Sequence, residues 1–233
     1  MILTAHQPVY LPWLGLFHKI YLSDQFCYFD IVQYQVKDYN NRNLIKFNST
    51  SNWLTVPVES KNHFQKKICD IKIIPGNWNK KHYKSISLNY KKSRFYDLYI
   101  DDIEKILLKN KYDFLSDLNF DILIFLKKSL GLKTKIVKAS DFNFQGEKSD
   151  LVLDMCRKLK ASKYIFGSQG KDYADKKSFE NENIEIFFQD YKHPTYEQIN
   201  GEFISHLSLI DLLFNKGPES LEILLSNNLK KIS

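Results

Sequence analysis

The beginning of the chain alternates between short apolar segments and one amphipathic segment, and this order constrains the fold most. Residues 1–5 and 26–29 are typical of buried strands, while residues 14–22 carry apolar side chains at helical spacing. Pro12 suits the first turn of the intervening helix. Two strands joined by one helix favour a parallel pair with a right-handed crossover. The sequence therefore predicts an α/β fold.

Further elements follow along the chain. We predict a hairpin with arms at 44–48 and 53–58, and strands at 67–74, 134–138, 163–166 and 184–188. The predicted helices are 78–89, 95–108, 114–130, 149–159, 175–182, 206–214 and 219–225. These elements predict one α/β domain over residues 1–233, with a mostly parallel, Rossmann-like sheet and flanking helices. Its helical middle, residues 78–130, is predicted to be an insertion or subdomain.

Composition narrows the class of protein. Hydrophobic residues make up 43% of the chain, which suffices for a sizeable core. No segment approaches the roughly 18 apolar residues of a membrane span, and no signal peptide is recognisable. We therefore expect a cytoplasmic protein without a membrane span. Cys27, Cys69 and Cys156 are widely separated, which predicts buried free thiols in a reducing compartment.

The formal net charge of +7 has two interpretations. The lysines are spread along the chain, which is typical of a solvated basic surface. A positive field also attracts phosphate-bearing substrates or nucleic acid. Without a recognisable nucleic-acid motif, phosphate ligands are favoured over nucleic acid.

Residues 5–15, the opening run, read Ala-His-Gln-Pro-Val-Tyr-Leu-Pro-Trp-Leu-Gly and follow the first strand directly. Polar and aromatic side chains at the carboxyl end of a strand lie where open α/β sheets bind ligands. His6 can act there as an acid, a base or a hydrogen-bond donor, with Gln7 beside it. Tyr10 and Trp13 are either core aromatics or surfaces on which a ligand stacks.

A second polar segment follows the second strand. Asp30 ends that strand and would approach His6 in a parallel pair, and Gln33 comes shortly after it. Arg42 suits forked hydrogen bonds to phosphate or carboxylate groups. Asn41 and Asn43 are also binding candidates, although asparagine is the commonest turn residue and an exposed turn is favoured for the asparagines taken alone.

Two more polar loops follow later strands. Residues 167–173 form a glycine-containing turn whose backbone amides could approach a phosphate or carboxylate. The candidates there are Ser168, Gly170 and Tyr173, and the alternative is a tight structural turn. Residues 191–198 contribute His193, Tyr196 and Gln198, with a capped loop as the alternative.

Other residues are predicted to be structural. His18 is assigned to the exposed face of the first helix, and His63 and His82 lie among lysines. Asp211 lies among apolar residues and needs a partner if it is buried. No HExxH, GxSxG, paired-carboxylate or zinc-ligand spacing occurs, so no metal site is predicted.

The chain resembles the WbqC-like family, whose genes lie near bacterial O-antigen and other surface-polysaccharide genes. The resemblance spans nearly the whole chain. The motifs that carry it are His6-Gln7-Pro8-x-Tyr10-Leu11-Pro12-Trp13-x-Gly15, Asp30-x-x-Gln33-Tyr34, Asn41-Arg42-Asn43-x-Ile45-Lys46, Trp53-Leu54-Thr55-Val56-Pro57, Tyr191-x-His193-Pro194-x-Tyr196-x-Gln198 and Ser208-x-x-Asp211-Leu212-Leu213-Phe214-Asn215-x-Gly217. Tyr39 stands where Trp is expected for the family.

The resemblance implies transfer of a glycyl-type aminoacyl group, or another acyl group, to the amine of a nucleotide-linked sugar. On this interpretation His6 or His193 is the base and Asp30 orients it. Arg42 and Lys46 would hold phosphate or carboxylate groups. The implied acyl donor is an aminoacyl-tRNA, or ATP plus an amino acid, and a homodimer is compatible with the sequence.

Two alternatives remain open. Nucleotidyltransferases of the HIGH type place two histidines between a first strand and a helix, where this chain has Tyr10 and Trp13. A related fold would favour an ATP-dependent enzyme that activates a carboxylate and releases pyrophosphate. The other alternative is a non-catalytic module that binds a sugar nucleotide.

Overall fold

The computed structural model describes residues 1–232, and a parallel five-stranded sheet lies at its centre. Its strands are β1 (Ile2–His6), β2 (Gln25–Tyr28), β5 (Lys135–Lys138), β6 (Lys163–Phe166) and β7 (Glu185–Phe188), in the order β5-β2-β1-β6-β7. A separate antiparallel hairpin contains β3 (Arg42–Phe47) and β4 (Thr50–Thr55).

Helices flank the sheet, as predicted. They are α1 (Leu14–Tyr21), α2 (Trp78–Tyr90), α3 (Tyr96–Glu104), α4 (Leu115–Ser129), α5 (Lys148–Lys158), α6 (Lys176–Asn181), α7 (Leu209–Lys216) and α8 (Ser220–Leu225). The Rossmann-like α/β prediction is confirmed. Three of these helices, α2 to α4, occupy the middle segment, whose status as an insertion or subdomain stays a prediction.

The predicted pairing of the first two strands is confirmed. β1 and β2 are parallel, with Leu3 opposite Gln25 and His6 opposite Tyr28. Because side chains alternate along a strand, Phe26 and Tyr28 pack into a different core from that of the intervening Cys27. The larger core includes side chains of α1, α4 and α7, and the smaller one includes side chains of α5.

The predicted strand at 67–74 is wrong. Residues Ile68–Asp70 form a short 3-10 turn, and this part of the chain makes only isolated bridges, such as Lys72 with Phe114. The alternation of lysine and isoleucine resembles a strand, but Ile68, Ile71 and Ile73 instead face the large core from an irregular segment.

Two smaller findings concern the thiols and the last third of the chain. Cys27 and Cys156 are buried free thiols, and Cys69 is half-buried and free. The helix predicted from 206 begins at Leu209, because His206 has a left-handed φ of 61° and Ser208 caps the first turn. Within residues 1–232, no helix is long and apolar enough to cross a membrane.

Candidate functional site

Four polar loops leave the sheet at one edge, because its five strands are parallel. β1 leads into the opening run and β2 into Asp30, while β6 leads into the turn at 167–173 and β7 into residues 189–198. The chain places β2 and β5 on one side of β1, then crosses to β6 and β7 on the other side. Open α/β sheets bind ligands at such a switch point, here between the carboxyl ends of β1 and β6. We call the edge of the sheet at which the five parallel strands end the carboxyl edge.

His6 ends β1 at the carboxyl edge and is half-buried. Its Nδ1 lies 2.8 Å from the Gln7 carbonyl oxygen, so Nδ1–H donates to that oxygen. Its Nε2 forms no hydrogen bond with any residue from 1 to 232. Burial, and secondarily the charge of Lys19, lower the pKa of His6 to about 3. The imidazole is therefore neutral at physiological pH, with a free acceptor nitrogen.

Lys19 is a candidate that sequence reasoning missed. It lies on α1 with only 4% of its surface exposed, and its Nζ donates to the Ala5 carbonyl oxygen at 2.8 Å. Burial lowers the pKa of this amine to about 7. The available signal was a lysine, next to His18, among the apolar side chains of a short helix, a position that normally selects an uncharged residue.

An aromatic row extends from His6 along the edge. The ring centroids are 5.4 Å apart for His6 and Trp13, 5.3 Å for Trp13 and Tyr39, and 5.7 Å for Tyr39 and Trp53. The Arg42 guanidinium lies over the Trp53 ring at 4.4 Å, and its Nε is buried without a partner in the described chain. The row combines partly exposed ring faces with a cation, which suits a base or a sugar phosphate.

The asparagines near the row have structural partners. Asn40 and Asn43 donate to the carbonyl oxygens of Pro8 and Leu11, at 2.8 and 2.7 Å. Asn41 donates to a carbonyl oxygen in the segment that follows β4. All three are buried, so they hold the opening run in place and do not present their side chains to a ligand. Leu11 thereby keeps a left-handed φ of 45°, which is strained for leucine.

Asp30 differs from its predicted role. Its two carboxylate oxygens accept hydrogen bonds from the Ser140 backbone N–H and hydroxyl, at 2.9 and 2.8 Å. The Gln7 carbonyl, and not Asp30, orients the His6 ring. The Gln7 amide donates to Asp38 at 3.1 Å, and Gln33 is exposed and makes a backbone bridge with Lys67.

The glycine turn after β6 forms a short 3-10 helix, Ser168–Asp172. Gly170 is required by packing, because a Cβ there would lie 2.5 Å from the Phe166 side chain. Ser168 and Tyr173 are exposed next to it, and Tyr173 packs edge-on against Phe166. The turn lies beside β1 at the carboxyl edge, and its ligand role stays a prediction.

His193 has no free nitrogen. Nδ1–H donates to the Pro194 carbonyl oxygen at 2.9 Å, and Nε2 accepts from the His206 backbone N–H at 3.2 Å. Burial lowers its pKa, and the ring has no remaining lone pair for proton transfer. The geometry therefore favours His6 over His193 as the base.

The prediction for His18 is wrong. The side chain is 1% exposed, and its nitrogens bind the Leu229 carbonyl oxygen at 2.9 Å and the Gln189 amide at 2.9 Å. A short helix enclosed on two sides has no exposed face, which the pattern of the helix alone does not reveal. His18 ties α1 to segments far away in sequence.

Tyr10 is a core residue. It is fully buried, and its hydroxyl hydrogen-bonds His82 Nδ1 at 2.8 Å. His82 is itself buried, and burial lowers its pKa to about 4. Tyr10 therefore has no face on which a ligand could stack.

Three predicted binding residues instead form a buried polar network. Asp211 accepts hydrogen bonds from the Tyr90 hydroxyl at 2.9 Å and from the Tyr196 hydroxyl and Gln198 amide, both at 2.8 Å. The Lys46 ammonium donates to the Gln198 side-chain oxygen at 3.1 Å and to a backbone carbonyl. All five side chains are buried, so Lys46, Tyr196 and Gln198 are unavailable to a ligand.

Three clefts lie away from the carboxyl edge. The smallest, of about 260 Å³, lies between the ends of α2 and α7, one of about 410 Å³ lies beside residues 21–24 and 131–134, and one of about 870 Å³ lies beside residues 58–66. Polar groups of the smallest cleft already bind one another, as in the 3.4 Å contact of Lys216 with Glu197. The chemistry therefore favours the carboxyl edge. Within residues 1–232, no cluster of three His, Cys, Asp or Glu side chains could hold a metal ion.

The family model of the WbqC-like protein family matches residues 7–223. The chain belongs to this family. Uncharacterized protein Rv1507c of Mycobacterium tuberculosis (strain ATCC 25618 / H37Rv) is 32% identical over 219 residues, which cover 94% of this chain and 95% of that protein. No solved structure matches the chain.

The motifs of this WbqC-like chain divide into two groups in space. Trp13 and Arg42 belong to the carboxyl edge, together with Tyr39 and Trp53 of the aromatic row. The later motifs, around Lys46, Tyr196 and Asp211, meet in the buried network. The side chains of the first group are partly exposed, whereas those of the second group are buried and bind one another.

Proposed function

We propose that this WbqC-like protein is a transferase that binds a nucleotide-linked amino sugar at the carboxyl edge. It transfers an acyl or glycyl-type aminoacyl group to the sugar amine during synthesis of a surface polysaccharide such as the O-antigen. The observation that carries the proposal is His6, a neutral imidazole with a free Nε2, at one end of an aromatic row that ends on Arg42.

The reaction needs one proton acceptor. The sugar amine attacks the carbonyl carbon of an activated acyl donor, and the amine nitrogen becomes acidic as the C–N bond forms. His6 Nε2 takes that proton, and the leaving oxygen of the donor keeps the electron pair of the broken C–O bond. Because the pKa of His6 is about 3, Nε2 is unprotonated throughout the physiological range, and the imidazolium formed in this step is acidic enough to pass its proton on to the leaving oxygen.

The aromatic row supplies binding and orientation. The partly exposed rings of Trp13 and Trp53 offer faces for the base or the sugar, and Arg42 offers charge to a phosphate. Orientation of the amine over His6 converts a bimolecular reaction into a local one. The donor is proposed to be an aminoacyl-tRNA, or an aminoacyl group formed from ATP and an amino acid.

The decisive measurement is mass spectrometry of the polysaccharide precursor from cells with and without the protein. We expect the precursor to lose one acyl or aminoacyl group when the protein is absent. Wild-type protein and the exposed-site variant His206→Ala should restore the group, whereas His6→Ala should not. An unchanged precursor mass, or full restoration by a folded His6→Ala protein, would refute the proposal.

The nucleotidyltransferase alternative is disfavoured by Tyr10. At one of the positions of the HIGH histidines, Tyr10 is fully buried and bound to His82, so it cannot contact a transferring phosphate. Pyrophosphate release from ATP in the presence of amino acids separates this alternative from direct transfer. A non-catalytic module would bind a sugar nucleotide and leave the precursor unchanged.

A further inference from the structure

The central strands of the sheet separate at the carboxyl edge. The ladder between β1 and β6 ends at Thr4 opposite Ile165, whereas β1 remains paired with β2 as far as His6. β6 likewise remains paired with β7 as far as Phe166. Beyond these positions no backbone hydrogen bond joins the ends of β1 and β6 within residues 1–232, and we call this unpaired interval at the switch point of the sheet the gap.

Lys19 projects into this gap from α1. The His6 carbonyl oxygen accepts from the Phe29 N–H on the β2 side, and successive carbonyls of a strand point to opposite sides. The Ala5 carbonyl oxygen therefore faces β6. It accepts a hydrogen bond from Lys19 Nζ at 2.8 Å, where a continued ladder would have supplied a backbone N–H.

The Lys19 ammonium has no counter-charge within residues 1–232. No carboxylate lies within 4 Å of it, and only one of its three possible hydrogen bonds is made. The titratable group that faces it from β1 is His6, which is neutral. Its own helix carries His18 and Tyr21, and α8, which packs on α1, carries only the exposed Glu222. The segment 189–191 also packs on α1, and it carries the exposed Asp190 and the half-buried Tyr191.

The free-energy cost of a buried ammonium without a counter-charge can be reduced in two ways. The amine can lose its proton, or an anion from outside the chain can bind beside it. The gap lies at the ligand-binding position of the fold, beside the free Nε2 of His6. Attraction between a buried cation and an anion in a low-dielectric site is strong at short range.

We propose that the gap between β1 and β6 binds an oxyanion of the substrate, with the protonated form of Lys19 as its counter-ion. This inference rests on the proposed function for the nature of the ligand. The oxyanion is either the phosphate of the nucleotide-linked sugar or the carboxylate of the amino acid, and both would recruit the protonated form of Lys19.

Recruitment of the protonated form of Lys19 requires that the protein takes up protons when the ligand binds. Titration calorimetry of the full chain measures this proton uptake. UDP and inorganic phosphate represent the phosphate source, and glycine represents the carboxylate source. Each is titrated at pH about 8 in two buffers that differ in ionisation enthalpy. Because the pKa of free Lys19 is about 7, the probe from the true source should bind with uptake of ~0.9 proton, falling to ~0.1 at pH about 6. Affinity should fall up to tenfold per pH unit above about 7.

Variants separate Lys19 from the rest of the surface charge. Lys19→Met should remove both the proton uptake and the pH dependence, and urea unfolding confirms that it is folded. Lys128→Met, which removes an exposed lysine of α4, should change neither. Binding without proton uptake at pH about 8, equal uptake by Lys19→Met, or no binding of any probe at millimolar concentration would overturn the inference. Failure of the proposed acyl transfer is separate, because it is read from the precursor mass while UDP binding is read on the purified chain.

Discussion

Replacement of Asp211 by alanine should strongly destabilise the fold, because it removes the shared acceptor of three buried donors. The Tyr90 and Tyr196 hydroxyls and the Gln198 amide all donate to its carboxylate. A buried donor left without a partner costs about 1–3 kcal/mol. The three donors can partly rearrange towards other acceptors, so we expect a loss of about 4 kcal/mol of unfolding free energy, which is near the lower end of the sum for three unsatisfied donors. For a chain of this length that corresponds to a fall in Tm of about 10 °C.

Urea unfolding followed by circular dichroism measures the effect. The Asp211→Asn variant keeps the volume and one acceptor oxygen, so it should lose less than Asp211→Ala. Asp101→Ala, at an exposed position of α3, should stay within about 0.5 kcal/mol of the wild type. An Asp211→Ala protein that unfolds at the wild-type urea midpoint would show that the network does not stabilise the fold.

The pH dependence gives a second readout of the same site. Burial raises the pKa of Asp211 from 3.8 to about 6, so between these values the folded state binds a proton more tightly than the unfolded chain. The contribution of Asp211 to stability therefore grows as the pH falls from about 6 to about 4. The Asp211→Asn variant lacks this proton, so its deficit relative to the wild type should widen over that range. A constant deficit would contradict the assigned titration.

Three further predictions concern packing, the buried amine and the thiols. Gly170→Ala should cost about 1–3 kcal/mol, because its Cβ would collide with Phe166, whereas the control Gly167→Ala meets no atom within 4 Å and should be tolerated in the same urea assay. Burial lowers the pKa of Lys19 from 10.5 to about 7, so the buried ammonium destabilises the fold most below pH about 7 and progressively less as the pH rises towards about 10. Lys19→Met should therefore raise the urea midpoint most below pH about 7. Iodoacetamide at pH about 8 should label native protein only at half-buried Cys69, and slowly, because burial raises the pKa of that thiol to about 11; rapid labelling of the other two thiols would contradict their burial.

Local patterns predicted the sheet well. The apolar segments before and after α1 specify buried strands, and the crossover rule then fixes their parallel pairing. The same reasoning wrongly predicted a strand at residues 67–74, because isoleucines that face the core also occur in an irregular segment that packs on it. Periodicity identifies which side chains are buried more securely than it identifies the backbone hydrogen bonds.

The site was less predictable, because burial of polar groups depends on distant partners. Nothing near Lys46 indicates that Gln198 will bind its ammonium, or near His18 that the Leu229 carbonyl will bind its ring. Trp13 and Arg42 were predicted as candidates from their types and positions, and the structure brings both into one row. The role of Lys19 depends on a gap between strands, which exists only in the assembled sheet.

The hydrogen bonds that hold the opening run have a consequence for the order of folding. Asn40 and Asn43 clamp its carbonyls, and the Leu209 N–H donates to the carbonyl of Pro12. The three residues that donate these hydrogen bonds are synthesised after the opening run, and Leu209 follows it by nearly two hundred residues. The strained φ of Leu11 cannot persist without them. On the ribosome, the edge that carries His6 therefore stays conformationally unsettled until α7 has emerged, although its own residues are made first.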